Sequence, residues 1–147
     1  MRTSRIGAAT LLVTASLSAC GGAAQDTATI RTADGAAVFD VEVADSPEER
    51  ATGLAGRDEL AADGGMLFAF GEPVASRFWM KDTQIPLSIA FLDAEGRVLR
   101  ILDMEPCRAE PCPVYDPHVT YVSALEVNRG AFGQAGIAEG DAVEVER

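Results

Sequence analysis

Trp79, Lys81 and Thr83 alternate along one segment and combine an aromatic ring, a cation and a hydroxyl group. Alternate residues of a strand share one face, so Trp79 and Lys81 are predicted to lie opposite Phe78 and Met80. A tryptophan beside a lysine can form a platform for a ligand. Alternatively, Trp79 packs beneath a loop and Lys81 is a solvated neighbour. The segment is therefore a candidate binding site with two open interpretations.

Three further side chains, Glu126, Asn128 and Arg57, are candidate ligand-binding groups. Glu126 can act as a general base or accept hydrogen bonds from backbone amides near Asn128. Asn128 is predicted to cap a helix that runs to about Ala135, whose first amides would bind an anionic group. Arg57 either binds an anion or fixes the loop after the first helix. We assign no catalytic residues, because no two carboxylates stand at a fixed local spacing.

Metal and cofactor chemistry has little support in the residue pattern. His118 is the single histidine and is expected at the surface. Met66, Met80 and Met104 could suit Cu(I), but each lies in an apolar segment, where methionine typically fills the core. The sequence contains no nucleophile elbow, phosphate-binding loop or dinucleotide fingerprint. We predict neither a metal nor a cofactor.

Two of the three cysteines, Cys107 and Cys112, lie in a short segment rich in proline. In an exported protein this pattern predicts a disulfide that closes a small loop. A redox motif usually places its cysteines two residues apart at a helix start, which Pro111 and Pro113 disfavour here. A zinc site would need a second pair of ligands nearby. The structural disulfide is the favoured interpretation.

The N-terminal segment carries the pattern of an export signal. Arg2 and Arg5 precede an uncharged apolar run, which is too short for a stable membrane span. The run ends in Leu-Ser-Ala-Cys at Cys20, which resembles the lipobox of bacterial lipoproteins. We therefore predict a signal peptide over residues 1–19, lipid on Cys20, a tether over residues 20–29 and one domain over residues 30–147.

The predicted location is the periplasmic face of the outer membrane, since the residue after Cys20 is Gly21 and the aspartate of an inner-membrane retention signal is absent. With residues 1–19 removed, two of the 12 basic residues are lost, and the net charge changes from −11 to −13. A chain this acidic repels nucleic-acid backbones, so we expect no nucleic-acid partner.

Short stretches of alternating hydrophobicity separated by turn residues dominate from Ile30 onward. They predict a mainly β fold, an antiparallel sandwich or barrel-like domain with two short helices. Ser46-Pro47 with Glu49 forms a capping box and starts a helix to about Leu54. Gly96 is predicted to be the left-handed residue of a hairpin loop. The predicted strands span 38–44, 66–70, 76–81, 87–92, 97–102, 121–127 and 142–146.

Several strings occur in order between residues 38 and 145: Gly-Leu-Ala-Gly-Arg at 53–57, Gly-Met-Leu-Phe at 65–68, Trp-Met-Lys-Asp-Thr at 79–83, Ile-Pro-Leu at 85–87 and Leu-Glu-Val-Asn at 125–128. Together they resemble the domain of unknown function 192 family of small, often exported prokaryotic proteins. Two residues depart from its pattern: Ala55 stands in place of a methionine, and Ser88 in place of an aspartate. The resemblance implies a fold and export, and it implies no reaction.

The favoured function is a lipid-anchored binding or accessory module of the cell envelope, attached to the membrane through Cys20 and acting on an unidentified small molecule or envelope protein. One alternative is an envelope hydrolase that uses Glu126, Lys81, Asp82 or Arg57 in a cleft. The other is a purely structural scaffold. Convergence of the candidate residues on one pocket would favour binding or catalysis.

Overall fold

A computed structural model of the protein describes residues 27–32, 35 and 37–147. The predicted signal peptide, Cys20 and most of the predicted tether lie outside the described residues. Within them the chain forms nine strands and two short helices: β1 (Thr27–Thr32), β2 (Val38–Ala44), α1 (Pro47–Thr52), β3 (Gly64–Val74), β4 (Phe78–Trp79), β5 (Leu87–Leu92), β6 (Val98–Met104), β7 (Val114–Tyr115), β8 (Tyr121–Asn128), α2 (Ala131–Gln134) and β9 (Val143–Glu146). Neither helix is long and apolar enough to cross a bilayer.

Seven of these strands form one sheet in the order β6-β5-β8-β3-β2-β1-β9, and β4 pairs with β7 in a small second sheet. The pairs are antiparallel except β2 and β3, which are parallel and are connected through α1. The two edge strands of the large sheet approach each other at one end, where Arg97 bridges Ala142 and the Val98 amide donates to the Asp141 carbonyl at 2.8 Å. The sheet is therefore curled into a half-barrel, as the mainly β prediction expects.

The two faces of the curled sheet bury separate apolar clusters. On one face, called here the α2 face, Val41, Leu67, Leu125 and Val127 pack with Phe132 of α2. The other face, called the β4 face, carries the second buried cluster. Its members are Ala44, Leu54, Met66, Phe68, Met80, Leu87, Ile89, Phe91, Met104, Tyr121 and Ala124. The three methionines considered for copper are buried in this cluster.

Several local predictions are confirmed. Strands β2 and β5 have the predicted bounds. The Ser46 side chain accepts a hydrogen bond from the Glu49 amide, and Glu49 accepts one from the Ser46 amide, which completes the capping box. Gly96 adopts a left-handed conformation with φ 78° in the loop between β5 and β6. The side chain of His118 is 82% exposed.

Several predictions differ from the structure: β1 was not among the predicted strands, and the strand predicted over 66–70 extends over Gly64–Val74. Strand β1 begins at Thr27, so it includes the last three residues assigned to the tether. The strand predicted over 76–81 shortens to Phe78–Trp79, because the chain turns at Asp82, whose φ is 58°. Asn128 does not cap α2, which begins at Ala131 after a left-handed Gly130 without a side-chain cap. The short strand β7 was not predicted at all, since it has only two residues between prolines.

Candidate functional site

Trp79 lies at the surface, on a short strand held by its partner strand β7. Trp79 is 56% exposed, whereas Met80 beside it is 1% exposed. Trp79 pairs with Val114 of β7, and the Lys81 Nζ atom lies 5.5 Å from the centre of the Trp79 ring. The predicted alternation therefore places Trp79 and Lys81 outward, and the two side chains form a cation–π pair.

Two adjoining cavities of about 400 Å³ and 300 Å³ border Trp79, and both are lined by Ser76, Arg77 and Phe78. The first extends to Val114, and the second extends across β3 and α1. We call the combined depression the Trp79 groove, and its remaining lining residues in the second cavity are Arg50, Ala51, Phe68 and Phe70. Its volume matches the size of small-ligand sites.

The two arginines of the Trp79 groove form no ion pair with a carboxylate among the described residues, a property they share with Arg97 and Arg108 elsewhere. Arg50 donates to the backbone carbonyls of Asp45 and Ala69, and its guanidinium carbon lies 5.1 Å from the Phe70 ring centre. Arg77 has no ion pair among the described residues. By contrast, five arginines outside the groove form ion pairs with carboxylates: Arg31–Glu146, Arg57–Glu42, Arg100–Glu139, Arg129–Asp103, Arg129–Glu105 and Arg147–Asp45.

A disulfide loop adjoins the groove at Lys81. Cys107 and Cys112 are bonded, as predicted, with their Cα atoms 5.3 Å apart. The Cys107 amide donates to the Met80 carbonyl at 3.4 Å, which attaches the loop to the turn that carries Lys81. Within the loop, Glu110 approaches Lys81 with an N–O distance of 3.9 Å, and both side chains are exposed. Such a pair in solvent attracts weakly, so Lys81 remains available to a ligand.

A separate cavity of about 440 Å³ lies on the β4 face, beside strands β2 and β3. Arg57 and Glu42 form its charged wall through two hydrogen bonds of 2.5 and 2.6 Å. The hydrogen bonds to Glu42 raise the pKa of Arg57 above its usual range. The cavity, called here the Arg57 cavity, is lined by Thr29, Asp40, Val41, Glu42, Arg57, Glu59, Leu60, Ala61, Gly64 and Gly65. Of the two roles considered for Arg57, the one supported is to fix the loop after α1, because its guanidinium binds Glu42 of β2.

Asn128 and Thr83 make local contacts that position loops. The Asn128 side-chain amide donates to the carbonyls of Leu60 and Ala61 at 3.2 and 2.8 Å, so it holds the segment that lines the Arg57 cavity. Thr83 is 8% exposed, and its hydroxyl donates to the Lys81 carbonyl at 3.5 Å. The side chains of Asn128 and Thr83 therefore bind backbone carbonyls and help to hold the loops at residues 60–61 and 81–83.

Glu126 is 4% exposed on β8, on the β4 face. It lies directly between Met66 of β3 and Ile89 of β5 in the sheet register. Among the described residues it has neither a hydrogen-bond partner nor an ion-pair partner. Burial raises the pKa of its carboxyl to about 8. One of the two roles considered for Glu126 was to accept hydrogen bonds from backbone amides, and no contact among the described residues supports that role.

The predicted site residues thus separate into two groups. Trp79 lines the Trp79 groove, and Lys81 lies beside it next to the disulfide loop. Arg57 lines the Arg57 cavity, and Asn128 holds the segment at residues 60–61 that lines the same cavity. The groups are connected by one hydrogen bond of 2.8 Å, from the Gly56 amide to the Asp82 carbonyl. No three of the described His, Cys, Asp and Glu residues are grouped so that they could hold a metal ion.

Sequence reasoning missed three groove residues, Arg50, Phe70 and Arg77. Arg77 precedes Phe78 in the segment predicted as a strand, so its position beside Trp79 could have been noticed. Arg50 and Phe70 come from α1 and β3, and only packing brings them to Trp79. No local spacing could have identified them.

The curled mixed sheet, the small second sheet and the disulfide loop define a β-rich domain of the half-barrel type. The chain belongs to the DUF192 family (Uncharacterized ACR), whose model matches residues 29–145. This confirms the family resemblance found in the sequence.

Two solved structures share the fold and about a third of the sequence. A protein from Sinorhizobium meliloti 1021, suggested to be a transcription regulator, is 33% identical with a TM-score of 0.73, and the match covers 83% of this chain and 94% of that one. A protein of unknown function from Novosphingobium aromaticivorans DSM 12444 is 32% identical with a TM-score of 0.70, and the match covers 88% and 91%. No curated protein matches the chain.

Proposed function

We propose that the protein is a binding module of the cell envelope, held at the periplasmic face of the outer membrane by lipid on Cys20, and that its Trp79 groove takes a small organic anion with a flat or sugar ring. The anchoring part rests on the sequence before residue 27. The binding part rests on the groove.

The observation that carries the binding proposal is the distribution of charge. The chain has a net charge of −11, yet Arg50, Arg77 and Lys81 cluster around one exposed tryptophan. Arg50 bonds backbone carbonyls, and Lys81 meets a carboxylate only at 3.9 Å. These cations can therefore contact an anionic group, while the Trp79 ring offers a flat surface for stacking.

The alternative of an envelope hydrolase has weaker support. Glu126 is buried on β8, whereas Lys81 and Asp82 are exposed on a turn beside the disulfide loop. A transcription role, suggested for the Sinorhizobium relative, is disfavoured for this chain because its strong negative charge repels nucleic acid.

Trp79 provides the assay, because it is the single tryptophan of the chain. We expect glucuronate, a sugar carboxylate, to change Trp79 fluorescence saturably, and glucose at equal concentration to have little effect. Arg77→Gln should weaken glucuronate binding by about tenfold, the typical effect of losing a charged hydrogen-bond donor. Arg100→Gln is the matched control, since Arg100 pairs with Glu139 elsewhere.

Two results would contradict this proposal. One is the absence of any saturable change with a panel of ring-containing organic anions that includes glucuronate and benzoate. The other is an equal affinity of the Arg77→Gln and Arg100→Gln proteins for an anion that does bind.

A further inference from the structure

The small sheet that carries Trp79 is too short to be stable through strand pairing alone. Strands β4 and β7 contribute two residues each, with Phe78 opposite Tyr115 and Trp79 opposite Val114. A two-stranded ribbon by itself is at best marginally stable in water, even when its strands are longer. Within the described residues these two strands form a sheet separate from the large one. Other contacts must therefore fix Val114 beside Trp79.

The two faces of this small sheet are held differently. Phe78 and Tyr115 pack against the buried cluster of the β4 face, and the Tyr115 hydroxyl accepts a hydrogen bond from the Glu105 amide at 3.0 Å. Trp79 and Val114 lie on the outer face, and Val114 is 54% exposed. Both of them line the Trp79 groove. The wall that Val114 contributes to the groove therefore depends on how firmly the start of β7 is held.

The disulfide loop, residues 107–112, connects the ends of the two short strands. Its first residue is attached next to the end of β4, since the Cys107 amide donates to the Met80 carbonyl at 3.4 Å. Its last residue, Cys112, precedes the first residue of β7 by two positions. The bond between the two cysteines therefore holds the start of β7 close to the end of β4.

A small reagent can reach this disulfide. Both cysteines are only partly buried. They line a cavity of about 180 Å³ together with Lys81, Asp82, Arg108, Ala109 and Glu110. Cys107 also packs against the buried cluster of the β4 face, whereas Cys112 is not part of that packing. Accessible disulfides are the labile and regulatory ones, and the more open sulfur here is that of Cys112.

We propose that the Cys107–Cys112 disulfide is a site of thiol–disulfide exchange with a dithiol, and that its reduction loosens β7 and weakens ligand binding in the Trp79 groove. This inference rests on the proposed function of the groove, which it extends to the regulation of binding. The oxidised protein is the form that binds well. The reduced protein keeps the large sheet but loses the fixed position of Val114.

The exchange conserves atoms and electrons. A thiolate of the dithiol attacks the Cys112 Sγ atom and forms a mixed disulfide, while the Cys107 Sγ atom leaves as a thiolate and takes up a proton. The second thiolate of the dithiol then attacks the dithiol's own sulfur in the mixed disulfide, and Cys112 leaves as a thiolate that is protonated in turn. The dithiol is oxidised to a cyclic disulfide, and the protein gains two electrons and two protons.

Reduction has two opposing effects on the groove. A displaced Val114 no longer contacts the ligand, which should weaken binding by about fivefold, the effect expected when a half-exposed valine loses its apolar contact. Reduction also frees Lys81 from Glu110, which would strengthen the binding of an anion. That pair is exposed and its N–O distance is 3.9 Å, so this second effect is small. The reduced protein should therefore bind more weakly.

The experiment compares glucuronate binding to the full chain before and after reduction with dithiothreitol, with Trp79 fluorescence as the readout. Alkylation and mass measurement confirm that reduction is complete. We expect about fivefold weaker binding after reduction, and recovery after the dithiol is removed and the disulfide re-forms. Cys20→Ala retains the disulfide and should respond like the wild type. The protein with both Cys107→Ser and Cys112→Ser should bind weakly in either condition.

Hydrogen exchange gives a second measurement that needs neither a variant nor a ligand. Reduction should speed the exchange of the amides that join β4 to β7 by about tenfold or more, because the disulfide no longer restrains the open state. Amides of β5, which pairs on both sides, should keep their rates.

Unchanged exchange in β4 and β7 after complete reduction would overturn the proposal. Equal glucuronate affinities of the oxidised and reduced proteins would refute this inference and leave the proposed function standing. If the oxidised protein bound no ring-containing anion, the proposed function would be wrong, and the regulation of its site would be wrong with it.

Discussion

Replacing Glu126 by glutamine should remove a pH dependence of folding that this carboxyl creates. Burial raises the pKa of Glu126 from 4.5 to about 8. Between these values the folded protein holds a proton that the unfolded chain releases. The stability contributed by the protonated group is therefore complete below pH 4.5 and is lost as the pH rises through 8.

The magnitude follows from 1.36 kcal/mol per pH unit for one proton. The free energy of unfolding should lose about 3 kcal/mol from this group by pH 7 and about 5 kcal/mol by pH 9, relative to pH 4. Glutamine has nearly the same shape and does not titrate. The difference in unfolding free energy between Glu126→Gln and the wild type should therefore grow in favour of the variant by about these amounts.

The measurement is urea unfolding followed by far-ultraviolet circular dichroism, at pH values from 4 to 9. Other titrating groups affect the wild-type and variant proteins equally, so the difference between their curves isolates Glu126. Glu72→Gln serves as the control and should run parallel to the wild type, since Glu72 is exposed. If the wild-type and Glu126→Gln curves ran parallel over this range, the carboxyl would have an ordinary pKa and the argument would be wrong.

Three further predictions concern other residues. Replacing both Cys107 and Cys112 by serine should lower the unfolding free energy by about 2 kcal/mol without a change in topology; urea titrations under non-reducing conditions test this, and equal stability would contradict it. Arg57→Ala should destabilise the fold by about 1–3 kcal/mol, because Glu42 loses a bidentate, half-buried partner; a double-mutant cycle with Glu42→Gln should show coupling, and additive effects would refute it. Cys20→Ala should release the protein from membranes or block its processing, and normal processing with unchanged membrane fractionation would exclude the lipid anchor.

The parts of the fold that depend on local chemistry were predictable from sequence. The alternation in β2, the apolar run of β5 and the Ser46 capping box each encode their own element, because the determining residues are neighbours in the chain. The parallel pairing of β2 with β3 was not predicted. It depends on which strand the chain meets after α1, and alternation within one strand carries no information about its partner.

The same distinction applies to the candidate sites. Alternation correctly put Trp79 and Met80 on opposite faces but left open which of them points outward, and Arg50 reaches the groove only through the packing of α1 against β3. Asn128 looked like a helix cap because an asparagine preceded a helical segment. The segment at residues 60–61 lies against the end of β8 and takes the Asn128 amide instead. A contact between residues 67 positions apart has no local signature.

Glu42 and Glu126 show how position in the sheet alone leaves function open. They occupy equivalent places on one face, on either side of Met66. Glu42 receives a guanidinium because the chain after α1 brings Arg57 over β2. The carbonyls of residues 60–61 in the same segment accept hydrogen bonds from Asn128, two residues after Glu126. The segment therefore gives Glu42 a cationic partner, whereas Glu126 has no ion-pair partner among the described residues and stays buried between Met66 and Ile89.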